Sequence, residues 1–241
     1  ENEHNIETPF GPTSSPILEG KIANKTVFFL ARHGQGHKYL PHEVNHKANI
    51  WALKFLEVET ILSFSAVGSL KEGIHPCDFI MIDQYVDHTK NAEQTFFGNG
   101  AVAHISLAEP ACKNLSKQLF SAANEIKNNG QQILPAATYI NMQGPQFSTK
   151  AESELYRKWG MDVIGMTNFC EAKLAREAEI CYLTIAMVTD YDCWHEEHDA
   201  VTVDQVIENL NQNADFARKL IAKVLPTLNT NCQQGCQTAL Q

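Results

Sequence analysis

The stretch IAMVTDYDCW, residues 185–194, ends a longer apolar run that begins at Cys181. CYLTIAMV is short, free of charge and rich in strand-favouring residues, so it reads as a buried β-strand. The strand then meets two carboxylates, Asp190 and Asp192, with Tyr191 between them and Trp194 just beyond. Acids at the end of a buried strand cost stability unless something pairs with them. This strand end is therefore read as the mouth of a site. Residues two apart on an extended segment point to one face, which would set both carboxylates side by side. Close carboxylates resist double ionisation, so one pKa should rise.

Outward from this strand, strand and helix signals alternate. TVFFLA, residues 26–31, is continuously apolar, which suits a strand covered on both faces. A helix is expected over 42–56, then strands in TILSFSAVGS (60–69) and DFIMIDQYVD (78–87). A loop rich in Gly, Asn and Phe covers 88–110. A helix over 111–128 stops at Asn128-Asn129-Gly130. ATYINM (137–142) leads into QGPQFSTKAES, where Ser148 or Thr149 can cap the next helix. DVIGMT (162–167) runs into another helix. A last amphipathic helix, about 202–225, turns Val203, Val206, Leu210, Phe216, Leu220, Ile221 and Val224 inward. The fold class is α/β, a central mixed β-sheet flanked by helices. One domain is expected over 1–228, followed by a polar, cysteine-containing tail over 229–241.

Composition narrows the function. The chain has 241 residues and a net charge of −9, so no basic face for nucleic acid is advertised. No apolar run is long enough to span a membrane, and the first ten residues lack the basic start and apolar core of a secretory signal. The seven scattered cysteines suit reduced thiols in a cytoplasmic protein. Cys232 and Cys236 read as loose exposed thiols rather than a structural disulfide.

Ligands of α/β sheets bind beyond the carboxyl ends of strands, and the polar motifs fall there. Arg32 and His33 follow one strand, with Gly34 and Gly36 freeing the backbone. The Arg fork suits phosphate, although a turn with a surface Arg reads equally well. Ser65-Ala66-Val67-Gly68-Ser69 offers hydroxyls and main-chain N–H groups to an anion, or is a plain turn. Thr167 precedes a helix and either helps hold an anion there or is a simple N-cap. A protonated Asp can donate to a ring nitrogen while its neighbour accepts from an amine. HEEH, residues 195–198, is not HExxH, and the ten histidines show no ligand spacing, so no metal is expected.

RHG, VNHKANIWALK, AVGSL, IDQYVDHT, AHISLAEPAC, GPQFSTKAES, GMTNFCEAKLAREAEICY and MVTDYDCW occur in one order. Together they closely resemble the methylthioadenosine phosphorylases of the trimeric purine nucleoside phosphorylase family, from TPFG at Thr8 to the last helix. The resemblance implies phosphorolysis of 5′-methylthioadenosine to adenine and 5-methylthioribose 1-phosphate by a homotrimer. It implies no metal or organic cofactor, with inorganic phosphate as co-substrate. Phosphate would sit on Arg32, His33, Ser65, the Ala66 amide and Thr167. Ribose would lie over Met166 with Phe147 alongside, and the base would meet Ser148, Asp190 and Asp192. Val203, Val206 and Ile207 would take the methylthio group, closed by His104 of the next subunit. Family members that prefer 6-oxopurines carry Asn near the position of Asp190, so the resemblance favours adenine.

The sequence departs from the family pattern in places. The strand and Gly-rich phosphate loop that open the family would precede Glu1, which leaves sheet edges and one phosphate contact open. Cys170 stands for a usual Pro, His46 for a usual Tyr, and Gln146 for a common Arg. Two other readings therefore stand beside the first. One is a phosphorylase of 6-oxopurine nucleosides or methylthioinosine. The other is a catalytically impaired nucleoside-binding homologue.

Overall fold

The apolar run that ends at Asp190 is a ten-residue strand, Cys181–Asp190, and its first nine residues are buried. In the computed structural model, residues 2–90, 95–195, 203–232 and 235–241 are described, without the side chains of 203–206. The strands are β1 (Asn2–His4), β2 (Glu7–Thr8), β3 (Gly11–Pro12), β4 (Ile17–Ile22), β5 (Lys25–Phe29), β6 (Thr60–Ser69), β7 (Phe79–Met81), β8 (Gln84–His88), β9 (Ile133–Leu134), β10 (Thr138–Met142), β11 (Val163–Gly165) and β12 (Cys181–Asp190). The helices are α1 (His46–Phe55), α2 (Lys113–Ile126), α3 (Lys150–Lys158), α4 (Asn168–Glu177) and α5 (Val203–Val224).

The main sheet has seven strands in the order β8-β10-β11-β6-β12-β7-β9. It is mixed: β8, β10 and β11 run parallel, β11 meets β6 antiparallel, and β6 and β12 run parallel. β12 explains its own sequence. Alternate residues point to opposite faces, and both faces are covered, so apolar residues run without a break. Leu183, Ile185 and Met187 pack with α2 and α5 residues such as Leu119 and Phe216. Ala186 and Val188 join Val67, Ile80 and Tyr139 on the other side. No helix among the described residues is long and apolar enough to cross a membrane.

Three sequence expectations change. TVFFLA is not in the main sheet. β5 is the outer strand of a three-stranded antiparallel sheet, β1-β4-β5, with Phe29 exposed. Its run is apolar because alternate residues serve different cores. Phe28 and Leu30 pack against Ile17 and Leu53, whereas Val27 packs with the α2–α5 cluster. Leu210, expected inward on α5, is exposed. The tail is docked rather than loose. Asn114 Nδ2 donates to the carbonyls of Asn229 (3.0 Å) and Asn231 (3.1 Å), and Cys236 is buried.

β6 has one unusual edge. β12 pairs along it from Thr60 to Gly68, but β11 pairs only at Gly68 and Ser69. The remaining edge faces a groove of about 920 Å³ between β6 and β5, which Arg32, His33 and Glu171 also line.

Close approach decides one glycine. A Cβ at Gly165 would collide with the ring and hydroxyl of fully buried Tyr139 on the neighbouring strand. Gly165→Ala is expected to destabilise the fold by roughly 1–3 kcal/mol, the usual cost of overpacking. Adding Tyr139→Phe should recover part of that loss in urea unfolding. An Ala variant as stable as the parent would contradict the packing described.

Candidate active site

Where β12 reaches its two acids, its register with β6 breaks. Val188 pairs with Val67, then Asp190 with Gly68, which leaves Thr189 as a bulge. Side chains of α5 satisfy the carbonyls there. Asn213 Nδ2 donates to Val188 O at 2.9 Å, and Asn209 Nδ2 to Thr189 O at 2.7 Å. The chain then turns. Asp192 N–H donates to Asp190 Oδ1 at 2.8 Å, and Asp192 has a left-handed φ of 53°. The two acids are therefore not on one extended segment, as the sequence suggested. A bulge and a tight turn bring them together instead. Gly68 makes the room: a Cβ there would lie 2.9 Å from Asp190 Oδ1 and 3.4 Å from the Asp192 Cβ.

Both carboxyls are pushed above the usual carboxylate range, not one. For Asp190 the main cause is burial. The Thr189 hydroxyl and Asp192 N–H oppose it, and the Asp192 charge adds a smaller upward push. For Asp192 burial again leads, offset by the Ser153 and Ser148 hydroxyls and the Cys193 N–H. Among the described residues, Asp192 Oδ2 and Ser153 Oγ are both buried and neither completes a hydrogen bond, so the Ser153 and Ser148 hydroxyls favour the Asp192 charge from nearby without filling that oxygen. A buried acceptor left open at a strand mouth is suited to a donor brought by a ligand.

Arg32 follows β5 and reaches into the main sheet. Its Nε donates to Glu171 Oε1 at 2.5 Å and its Nη1 to Phe64 O at 2.9 Å. Its Nη2 donates to Ser63 Oγ, and to Glu171 Oε2 at 3.3 Å. A guanidinium has five N–H donors, so the fork expected to face phosphate is largely closed on Glu171. Burial would depress Arg32, but the Glu171 charge, the hydrogen bonds to it and the nearby tyrosines together outweigh that and raise its pKa. Burial likewise opposes the Glu171 charge, yet Arg32, His46 and Ser63 together hold its carboxyl below the usual range. Ser63 and Tyr182 hydroxyls also donate to Glu171, at 2.7 and 2.8 Å. Asn168 Nδ2 donates to Ser63 Oγ and Thr184 Oγ1.

His33 Nδ1 lies 2.9 Å from Tyr39 O, so Nδ1 carries the proton and Nε2 remains an acceptor. Its pKa is lowered, chiefly by burial. Ser65 is buried, with only a long contact of 3.4 Å to Ala66 O. Thr167 is buried at the start of α4 but does not cap it; its hydroxyl faces Asn168 Oδ1 at 3.3 Å. The caps of α3 resolve to Thr149, which forms a capping box with Glu152. Ser148 is buried, and its carbonyl accepts from the Cys193 thiol at 3.2 Å beside the acid pair. Met166 follows β11, its carbonyl held by Asn141 Nδ2 at 3.2 Å. Phe147, Ile207 and His104 are exposed, and Ala66 is exposed on β6. The Val203 and Val206 side chains and residues 196–198 of HEEH lie outside the described residues.

Several site residues went unread in the sequence. Glu171, Ser63 and Asn168 look like ordinary helix and strand residues until the fold gathers them under Arg32. Gly68 was noticed only as part of a turn. Glu171 had one usable signal: a carboxylate in an otherwise apolar helix face needs a cation nearby.

A family model described as the phosphorylase superfamily matches residues 1–226. The S-methyl-5′-thioadenosine phosphorylase of Koribacter versatilis (strain Ellin345) is 51% identical over 238 residues, covering 99% of this chain and 80% of that protein. A methylthioadenosine phosphorylase sourced from an antarctic soil metagenomic library superposes with a TM-score of 0.93 at 47% identity, covering 100% of this chain and 84% of that one. The methylthioadenosine phosphorylase from Schistosoma mansoni in complex with adenine superposes with a TM-score of 0.87 at 34% identity, covering 92% and 83%.

The raised carboxyls make a linkage prediction. An Asp whose folded pKa exceeds its unfolded value of about 3.8 binds more protons folded than unfolded across that window. Stability is therefore lost as pH rises through it. Asp192→Asn should leave stability unchanged below the window and exceed the parent above it, by roughly 1 kcal/mol. Urea unfolding of both proteins between pH 3 and pH 8 measures the difference curve. A variant less stable than the parent at neutral pH would refute the unpaired, buried state of Asp192.

Proposed function

The chain belongs to the phosphorylase superfamily, and we propose on that premise that it splits 5′-methylthioadenosine with inorganic phosphate. The products are adenine and 5-methylthioribose 1-phosphate. The carrying observation is the buried acid pair, with both pKa values raised and Asp192 Oδ2 left open. Asp190, whose burial favours its protonated form, donates to purine N7 as the C1′–N9 bond breaks. The electron pair of that bond goes to the purine, and a phosphate oxygen forms the new bond to C1′. Asp192 Oδ2 accepts from the exocyclic amine of adenine. A 6-oxopurine brings an acceptor to the same place and is repelled.

Phosphate lies on the other side, among Arg32, His33, Ser65, the Ala66 amide and Thr167. Glu171 orients Arg32 but cancels much of its charge, so neutral donors carry more of the anion. The Ser65 hydroxyl, with only a long contact of its own, supports that division. The developing cationic sugar is stabilised by the phosphate itself. Met166 lies under the ribose, Phe147 flanks it and Ser148 joins the base. Val203, Val206 and Ile207 receive the methylthio group, and His104 of a neighbouring subunit closes over it in a homotrimer. The exposure of Phe147 and His104 in one chain is in keeping with such a cover. Phosphate is the co-substrate, and no step above calls on a metal or organic cofactor. The acting unit is one domain, 1–228, followed by the tail, 229–241, in the cytoplasm.

The test is release of free base by the full protein from methylthioadenosine and from inosine, with and without phosphate. Adenine release should need phosphate and exceed hypoxanthine release. Hypoxanthine released faster would establish the 6-oxopurine reading, and nucleoside binding without turnover the impaired one. Turnover should fall as pH rises through the elevated pKa of Asp190. Asp190→Asn should lose that limb and shift the ratio of kcat/KM toward 6-oxopurines by roughly tenfold, about 1.4 kcal/mol. An unchanged base ratio would remove Asp190 from its role.

A further inference from the structure

Far from the acid pair, four cysteines converge. Cys112 is the N-cap residue of α2, Cys181 opens β12, and Cys232 and Cys236 belong to the tail. Their Sγ atoms all lie within 4.8 Å of one another, and all but Cys232 are buried. We propose that these four thiols form a structural site for a divalent cation of the zinc class.

The geometry fits that class. A tetrahedral zinc with bonds of about 2.3 Å sets its sulfurs roughly 3.8 Å apart. Cys112 Sγ and Cys232 Sγ already stand 3.9 Å apart. The tail ligands are separated by three residues, a spacing common in tetrathiolate sites. Gly235, with a left-handed φ of 75°, turns the chain between them. The other two ligands are braced together, because Cys112 N–H donates to Tyr182 O at 2.9 Å. Gln118 Nε2 donates to Asn229 O at 2.9 Å, and Asn229 N–H returns a bond to Gln118 Oε1 at 2.8 Å, so the tail is delivered to the cluster.

Sulfur ligands select soft and borderline cations over magnesium or calcium. Four protein ligands leave no open position, so the site holds the fold together rather than activating water. Binding displaces the thiol protons and changes no oxidation state. The ten residues of β12 put this cluster on the order of 30 Å from Asp190.

The test uses the full chain, reduced, stripped of metal and titrated with Co²⁺ and then Zn²⁺. The site predicts one Co²⁺ per chain with the strong visible bands of a tetrahedral ion and a thiolate-to-cobalt charge-transfer band. It also predicts proton release, and bleaching by one Zn²⁺. Cys232→Ser, in the half-buried tail position, should weaken binding by at least about tenfold. Cys232→His should keep the metal with a shifted spectrum, and Cys77→Ser should change nothing. Zinc should raise the melting temperature of the parent but not of Cys232→Ser. The proposal fails if the reduced chain gives no tetrahedral cobalt spectrum. It fails equally if mass spectrometry shows the four sulfurs paired as disulfides in chain that takes up no metal.

Discussion

The single residue by which β12 falls out of step with β6 governs the site. Up to Val188 the strand is a buried ladder with apolar cover on both faces, and such a strand cannot carry a carboxylate. At Thr189 the ladder loses register; Asn209 takes the Thr189 carbonyl, and Asn213 joins the Cys77 N–H on that of Val188. Only beyond that point can Asp190 and Asp192 stand over Gly68, on the neighbouring strand. The bulge, the two asparagines and the missing side chain at 68 form one device. Each part is needed to keep acids in a place where water cannot ionise them freely.

The second constraint joins the two sheets. Arg32 leaves the small antiparallel sheet and is seized by Glu171 under the main one. Buried ion pairs of this kind seldom add net stability over an apolar pair, but they define one arrangement and punish others. Ser63, Tyr182 and Asn168 complete the hydrogen bonds around Glu171. The guanidinium is thus set in position by a network rather than by a single contact. Along β6 the Arg32 network meets Ser63 and Phe64 and the acid pair meets Gly68, with Ser65 and Ala66 between them in the chain.

Periodicity made most of the main sheet legible. The strands at 60–69, 137–142 and 181–190, and the helices near 113–126 and 203–224, follow from apolar spacing and end signals. Asp190 and Asp192 stood out because charge after a buried strand is anomalous. TVFFLA misled because continuous apolarity does not say which sheet a strand joins. The proximity of the two acids was expected, but its cause was not, since a bulge leaves no mark in an apolar run. Glu171 and the thiol cluster were hidden for a different reason. Glu171 lies 139 positions from Arg32, and the tail cysteines lie 51 or more from Cys181 and 120 or more from Cys112, so only folding brings them together.

The open edge of β6 changes what Arg32 is. Among the described residues no strand pairs with Phe64 on that side, and the Arg32 guanidinium donates to its carbonyl. Lysine there would keep the charge yet lose the planar donor that reaches Phe64, Ser63 and Glu171 at once. The edge of β6 and the buried carboxylate of Glu171 therefore rest on the same planar group, and neither can be altered without disturbing the other.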